Sequence, residues 1–446
     1  METLKTSHFD NLPPLSKEEA FNILARPINQ LELSSDYYKA VFHLSKFPGP
    51  DTEQILLDLV GSDSNEHCIV ISRRKAVEVL ASHGCVDAIP AIGRCLKSSD
   101  PYLVENAVWA LKELHCEDLN LIQLISDLLE EPHQNRRVLI QALGSLDATS
   151  ELPRIKAFLN DSLASSGVKG AAIAAVKRLT GQSNQCEELL DYLRLPNQND
   201  RHCAVNDIID FGEVSLLPYV LAAPVAPSFR MRALNILWPL DIDNAIDLDL
   251  LLTVDSLIKD DPNNIEYLCE YDQIQDNKFL VAEMFNTDFR RCYCALKTLF
   301  NRDPDDLWVI LSGETDHFKR DYGALYFLML LFRSVSGWNE AALRGIRLIT
   351  LDCLGSHWPD FIKFRPAAIL TLVKLYPSEA SKYIPNWLDE TLTPFWACRY
   401  ATLLALEPLL RNREGYMFRE NILATKADSH RFVSGKAKNI EESFSL

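Results

Sequence analysis

The chain has 446 residues, 47% hydrophobic and 24% charged, a balance that fits a folded soluble protein and excludes a disordered one. With 62 acidic against 45 basic residues the net charge is −17; such a surface repels phosphate backbones, no basic run offsets it, and nucleic acid is excluded as a partner. No apolar stretch approaches the roughly 18–20 residues that cross a bilayer, and Met1–Gln30 shows no apolar core flanked by positive charge, so neither a membrane span nor a signal peptide is expected.

Residues 1–34 carry no repeat and read as an N-terminal segment. From residue 35 a signature recurs: one or two polar residues, a small residue, then Leu or a similar side chain four positions on. It reads Arg73-Arg74-Lys75-Ala76 with Leu80, Glu105-Asn106-Ala107 with Leu111, and, as a looser copy with Leu at the small position, Arg136-Arg137-Val138-Leu139 with Leu143. Gly170-Ala171-Ala172 with Val176, Arg201-His202-Cys203-Ala204 with Ile208, and Arg230-Met231-Arg232-Ala233 with Leu237 follow. Later copies are Arg290-Arg291-Cys292 with Leu296, Asp321-Tyr322-Gly323-Ala324 with Leu328, Arg365-Pro366-Ala367-Ala368 with Leu372, and Cys398-Arg399-Tyr400-Ala401 with Ala405. The period is about 32 residues, short for HEAT repeats but long enough for a compact pair of helices. A longer gap before Ala368 places an inserted loop near Ser334–Asn339.

Within a repeat the spacing is helical. Ile89, Ile92 and Leu96 form one stripe; Ser98-Ser99-Asp100-Pro101 is a turn with a helix start; Val104, Ala107, Val108, Leu111 and Leu114 form the next stripe. No segment alternates with period two for long, so no sheet is expected. One pair cannot bury its apolar face alone, and stacking supplies the core. The expected fold is therefore all-α, an α-solenoid of HEAT-like repeats over 35–410, with 411–446 as a C-terminal tail. In such arrays the second helix of each pair lines the concave side.

Standard catalytic signatures are missing: no GxSxG elbow, HExxH, EF-hand loop or glycine-rich phosphate loop. The 11 cysteines lack a CxxC pair, so they read as free thiols of a reducing cytosol and no metal site is expected. His67-Cys68, His115-Cys116 and His202-Cys203 are neighbours in sequence. Adjacent helical residues point about 100° apart, so these dipeptides do not form a Cys–His nucleophilic pair. Three polar and aromatic groups remain. Arg73, Arg74, Glu105, Asn106, Trp109, Arg136 and Arg137 would lie side by side on the second helices. Glu270, Tyr271 and Asp272 precede Asp288, Arg290, Arg291 and Tyr293, and Asp321 and Tyr322 precede Tyr326. Each group reads either as ion pairs between repeats or as a pocket in which Arg meets ligand carboxylates, Asp meets ligand N–H groups and Trp109 grips a flat ring.

The strings Arg73-Arg74-Lys75-Ala76-Val77-Glu78-Val79-Leu80 and Tyr102-Leu103-Val104-Glu105-Asn106-Ala107-Val108-Trp109-Ala110-Leu111 resemble the E/F clan of phycobilin lyases, which have HEAT-like repeats. Asn263-Asn264, Thr287-Asp288-Phe289-Arg290-Arg291-Cys292-Tyr293 and Arg320-Asp321-Tyr322-Gly323-Ala324 resemble its single-chain branch, which acts on the α subunit of phycoerythrin in cyanobacteria. The resemblance, from about Tyr37 to Tyr400, implies attachment of phycoerythrobilin by a thioether to a cysteine of that apoprotein. The bilin is substrate and no cofactor is implied. Asp272, Asp288, Asp321 and Tyr322 are then the expected acid and N–H-binding groups. Arg73, Arg74, Glu105, Trp109, Arg137, Tyr271, Arg290 and Arg291 would hold the bilin. Alternatives are a lyase-isomerase that also makes phycourobilin, and a non-catalytic scaffold or chaperone for phycobiliprotein assembly. The isomerase motif Asn-His-Cys-Gln-Gly-Asn has its nearest string here at Asn65-Glu66-His67-Cys68, which departs from it.

Overall fold

A computed structural model describes residues 15–182, 185–238, 249–266, 271–355 and 364–446. Among these residues there are helices, turns and loops and no strand. The chain divides into two compact units, one of residues 1–192 with 206–212, the other of 193–205 with 213–446.

In the first unit the second helices of successive pairs stack in order: α1 (His67–Ser82) on α2 (Pro101–Glu113), α2 on α3 (Arg136–Ser145), and α3 on α4 (Ser166–Thr180). Each is backed by the helix before it, Pro50–Val60, Ile89–Cys95, Leu119–Asp127 and Leu152–Asn160 in turn. α5 (Gln198–Phe211) follows, and the second unit continues with α6 (Pro227–Leu237) and α7 (Leu250–Lys259). There α8 (Phe289–Leu299) packs on α9 (Tyr322–Ser334), α9 on α10 (Arg365–Leu375), α10 on α11 (Trp396–Arg411), and α11 on α12 (Arg431–Phe444). α7 touches α10, α11 and α12.

The small residue of the signature decides how closely these helices approach. All ten anchors, from Ala76 to Ala401, are no more than 2% exposed, and the Leu or equivalent four residues on is buried in every copy. Each fully buried Leu or Val contributes about 1.5–3 kcal/mol relative to exposure. Where helices come closest even Ala is too large: a Cβ on Gly144 would sit 2.8 Å from the Ala175 Cβ. Helix starts follow the sequence. Asp100, Asn135, Ser165, Asp288 and Asp321 are N-caps whose side chains accept a first-turn amide. The five residues between Ser334 and Glu340 match the five between Glu113 and Leu119, so the inserted loop expected near Ser334–Asn339 is not there; the longer repeat instead carries the 16-residue helix Glu340–Gly355, against 7 to 9 residues in Ile89–Cys95, Leu119–Asp127 and Leu152–Asn160.

Two boundaries differ from the sequence reading. Lys17–Ala25 is a helix within the N-terminal segment, started by a capping box of Ser16 and Glu19, and it packs on Asp36–Leu44. Residues 411–446 are not a loose tail. α12 buries Phe432, Val433, Ala437 and Ile440, and its buried Lys436 donates to Asp255 and meets Glu407, both at 2.6 Å. A lysine in the middle of that face hides its apolar period; two carboxylates make its burial tolerable. No helix among the described residues is long and apolar enough to cross a membrane.

Candidate functional site

The arginines of the second helices are largely engaged by the fold, and Arg73 and Arg74 lie two turns inside α1 and not at its start. Arg74 makes two parallel 2.8 Å bonds to Asp100 and lies 4.7 Å over the Tyr102 ring. Asp100 is also the N-cap of α2, so one carboxylate starts a helix and ties it to the preceding repeat. Arg137 holds Asp207 at 2.6 and 2.8 Å and donates to the Gly167 carbonyl at 2.6 Å. Burial raises the Asp207 carboxyl to about 7 against the pull of Arg137. Gly170 makes room for it, because a Cβ there would meet its Oδ2 at 2.2 Å. Arg73 is half-buried near Cys95, and its Nε has no hydrogen-bond partner among the described residues.

The second unit repeats the device. Buried Arg201 donates to the carbonyls of Leu195 and Pro196, at 2.8 and 2.7 Å, and to Asp288. Asp288 caps α8 by accepting the Arg290 amide at 2.9 Å. Arg399 does the same with the carbonyls of Thr393 and Pro394 and with Asp428. Arg291 pairs with Glu283 at 2.6 and 2.7 Å, and Arg290 lies half-buried beside Arg201. Asp321 caps α9 through the Ala324 amide at 2.9 Å. Tyr322 and Asp272 are exposed, and half-buried Tyr271 meets Phe279 edge-on at 5.9 Å. Glu270 lies outside the described residues.

Of the twelve expected residues, Glu105 and Trp109 share a cavity. It measures about 270 Å³ on the face of α1, α2 and α3, lined by Glu78, Glu105, Asn106, Trp109, Lys112, Val138, Gln141 and Ala142. Helical spacing builds it: Glu105, Trp109 and Lys112 follow i, i+4, i+7 on α2, one face of the helix. Trp109 is half-buried, with part of its indole packed on the core. Glu78 has both oxygens occupied, by Asn106 Nδ2 at 3.0 Å and Lys75 Nζ at 2.7 Å. The Asn106 amide also donates to the Arg74 carbonyl at 3.1 Å, so its N–H groups are spoken for. Glu105 makes no hydrogen bond or ion pair with any described residue, which leaves a half-buried carboxylate facing the cavity with its acceptor sites open. Sequence reasoning passed over Lys112 and Gln141, although the i+7 spacing from Glu105 marked the first.

A buried polar group in the second unit was also passed over. Asp260, at φ +47° at the end of α7, accepts from Arg230 at 2.7 Å, Tyr293 at 2.6 Å and Tyr326 at 2.5 Å. Burial and the Asp260 charge hold both phenols well above the ordinary tyrosine range. The three partners come from three helices, α6, α8 and α9, and no sequence spacing signals that convergence.

Histidine and cysteine are not placed in the cavity. His67 is exposed, Cys68 and Cys116 are buried, and His202 stacks on Phe229 at 4.1 Å. Burial pushes the thiols of Cys292, Cys353 and Cys398 up to about 12. No group of three or more His, Cys, Asp or Glu among the described residues is arranged to hold a metal ion.

No family model matches the chain. It is 38% identical over 412 residues to the bilin biosynthesis protein CpeY of Synechococcus sp. WH8020, a match spanning 91% of this chain and 96% of that one. It is 32% identical over 411 residues to the uncharacterized phycocyanin operon protein Y of Pseudanabaena tenuis, spanning 90% and 94%. A 174-residue stretch is 29% identical to the phycocyanobilin lyase subunit alpha of Nostoc sp. PCC 7120, spanning 36% of this chain and 62% of that one. Among solved structures, the complex of CpcE and CpcF of phycocyanin lyase from Nostoc is similar, with 26% identity and a TM-score of 0.48 over 57% of this chain and 100% of that one.

Proposed function

The chain belongs to the E/F-type phycobilin lyases, and on that footing we propose that it joins phycoerythrobilin through a thioether to a cysteine of the phycoerythrin α subunit. Its activity is that of a phycobilin lyase, in chromophore attachment to phycobiliproteins. The finer assignment to phycoerythrin draws support from the strings around Asp288 and Asp321. The relative named for a phycocyanin operon makes phycocyanin α the comparison substrate.

The cavity on α2 carries the reading. Trp109 supplies a flat apolar face for a conjugated pyrrole ring, the open carboxylate of Glu105 accepts pyrrole N–H groups, and Lys112 faces a propionate. In the reaction the apoprotein thiol adds across the exocyclic double bond of ring A. Sulfur bonds to the side-chain carbon, the thiol proton ends on the ring carbon, and nothing leaves. The incoming nucleophile is therefore the substrate protein's, which agrees with the burial of eight of the ten described cysteines here. Polarising ring A calls for an acid. Of the four expected, Tyr322 and Asp272 are at the surface of the second unit, whereas Asp288 and Asp321 spend their carboxylates on helix caps. The double-bond shift to phycourobilin needs a base and an acid close to the bilin, and no His or Cys lines the cavity, which favours attachment without isomerisation.

Co-expression of the chain with a phycoerythrobilin-producing pathway and a tagged phycoerythrin α subunit tests the proposal. Acid-denatured absorption of the purified subunit should show covalent phycoerythrobilin, and Trp109→Ala should diminish it. Colour on phycocyanin α alone would overturn the phycoerythrin assignment. Bilin bound without a covalent product on either subunit would make the chain a chaperone.

A further inference from the structure

The Trp109 cavity is too small for the molecule it is proposed to hold, and its charges are too few. Pockets that bury drug-sized ligands run about 300–1,000 Å³. A linear tetrapyrrole is at least that large, and this cavity measures about 270 Å³. A phycobilin has two propionates, yet the lining offers one cation, Lys112; nearby Lys75 is committed to Glu78 at 2.7 Å. Each Glu78 oxygen already accepts one bond and both Asn106 N–H groups are taken, so Glu105 is the lining carboxylate with no partner among the described residues, and a carboxylate accepts from two adjacent N–H donors. Among the described residues Lys112 pairs with its exposed neighbour Glu113 alone, at 3.0 Å, a contact that yields to a ligand carboxylate at little cost.

Resting on the bilin reading above, we infer that this cavity recognises half of a tetrapyrrole: a dipyrrinone, one lactam ring joined to one pyrrole ring that bears a single propionate. The pyrrole and lactam N–H groups meet Glu105, the propionate meets Lys112, and one ring face lies on Trp109. The half enclosed is the one remote from ring A. Ring A must stay outside, because its partner is a thiol on a folded protein that cannot enter a cavity of this size. The lyase thus grips the bilin by its unreactive end and presents the other.

Titrating the full chain with a synthetic dipyrrinone monocarboxylic acid, followed by its visible absorption, tests this, with its methyl ester and intact phycoerythrobilin in parallel. The acid should bind and displace phycoerythrobilin, and the ester should bind about tenfold more weakly. Trp109→Ala and Glu105→Gln should each lose about tenfold or more, and Lys112→Met should abolish the preference of acid over ester. Melting curves identify any variant that fails through unfolding, and Glu105→Gln, being isosteric, keeps the test sound if Trp109→Ala does so. If phycoerythrobilin binds in a Trp109-dependent way while the dipyrrinone neither binds nor competes, the half-molecule inference is wrong and the bilin site stands. If Trp109→Ala and Glu105→Gln leave binding of both ligands unchanged, the cavity is not the bilin site and both readings fall.

Discussion

Replacing Asp288 with Asn separates the two readings of the helix-start residues. Asn is as good an N-cap as Asp, so the bond from the Arg290 amide is kept. The charge opposite Arg201 is lost. Arg201 is fully buried, and removing one partner of a buried pair commonly costs about 3–5 kcal/mol because a charge is left uncompensated. Two features reduce that figure here. Asp288 is 21% exposed, and Arg201 keeps the carbonyls of Leu195 and Pro196, while the Asn oxygen can still accept. About 2 kcal/mol is expected for Asp288→Asn. Asp288→Ala also loses the cap, for about 1 kcal/mol more.

Two compact units need not unfold together, so a single urea midpoint would be ambiguous. Hydrogen exchange of the α8 amides reports the relevant helix directly. Protection there should fall by about 2 kcal/mol in Asp288→Asn and about 3 kcal/mol in Asp288→Ala, with bilin attachment falling only as far as folded protein is lost. Attachment abolished by Asp288→Asn with α8 protection unchanged would refute this and make Asp288 a catalytic acid.

Three further outcomes follow from the packing. Gly170→Ala puts a Cβ 2.2 Å from the Asp207 carboxylate and should cost the first unit about 3–5 kcal/mol by forcing it off Arg137, read from hydrogen exchange of the α4 amides. The Asp207 carboxyl, at about 7, lies above its ordinary value of 3.8, so the unfolded chain ionises first. This group should make the first unit lose stability as pH rises from about 4 to about 7 and level off above, and Asp207→Asn should flatten that part of the profile. Lys436→Met leaves Asp255 and Glu407 facing an apolar chain and should destabilise the second unit by about 3–5 kcal/mol, measured by exchange of α11 amides.

The fold was legible because one constraint repeats ten times. Where two second helices approach, the sequence places a small residue, Leu139 excepted, with an apolar one a turn later, and such a pattern can be read without knowing any contact. The ends were less legible because they satisfy burial another way. At Lys436 the apolar face is broken by a charge whose two acids lie 29 and 181 residues away in sequence. Asp260 was invisible for the same reason: its three donors come from three helices, and a single sequence does not show which side chains converge.

At the candidate site the residue types were legible and the allocation among them was not. Arg74, Arg137, Arg201, Arg230 and Arg399 each meet an Asp 26 to 87 residues further on, so guanidinium groups suited to propionates are used to hold repeat against repeat. Asp100 and Asp288 are themselves N-caps, so Arg74 and Arg201 find a carboxylate already placed at the start of another helix. In the second turn of α2, Glu105 pairs with no described residue and lies beside Trp109. A ligand function is therefore to be sought where polar side chains of the second helices are left over from these pairs, and the arginines fix the spacing of the face on which it sits.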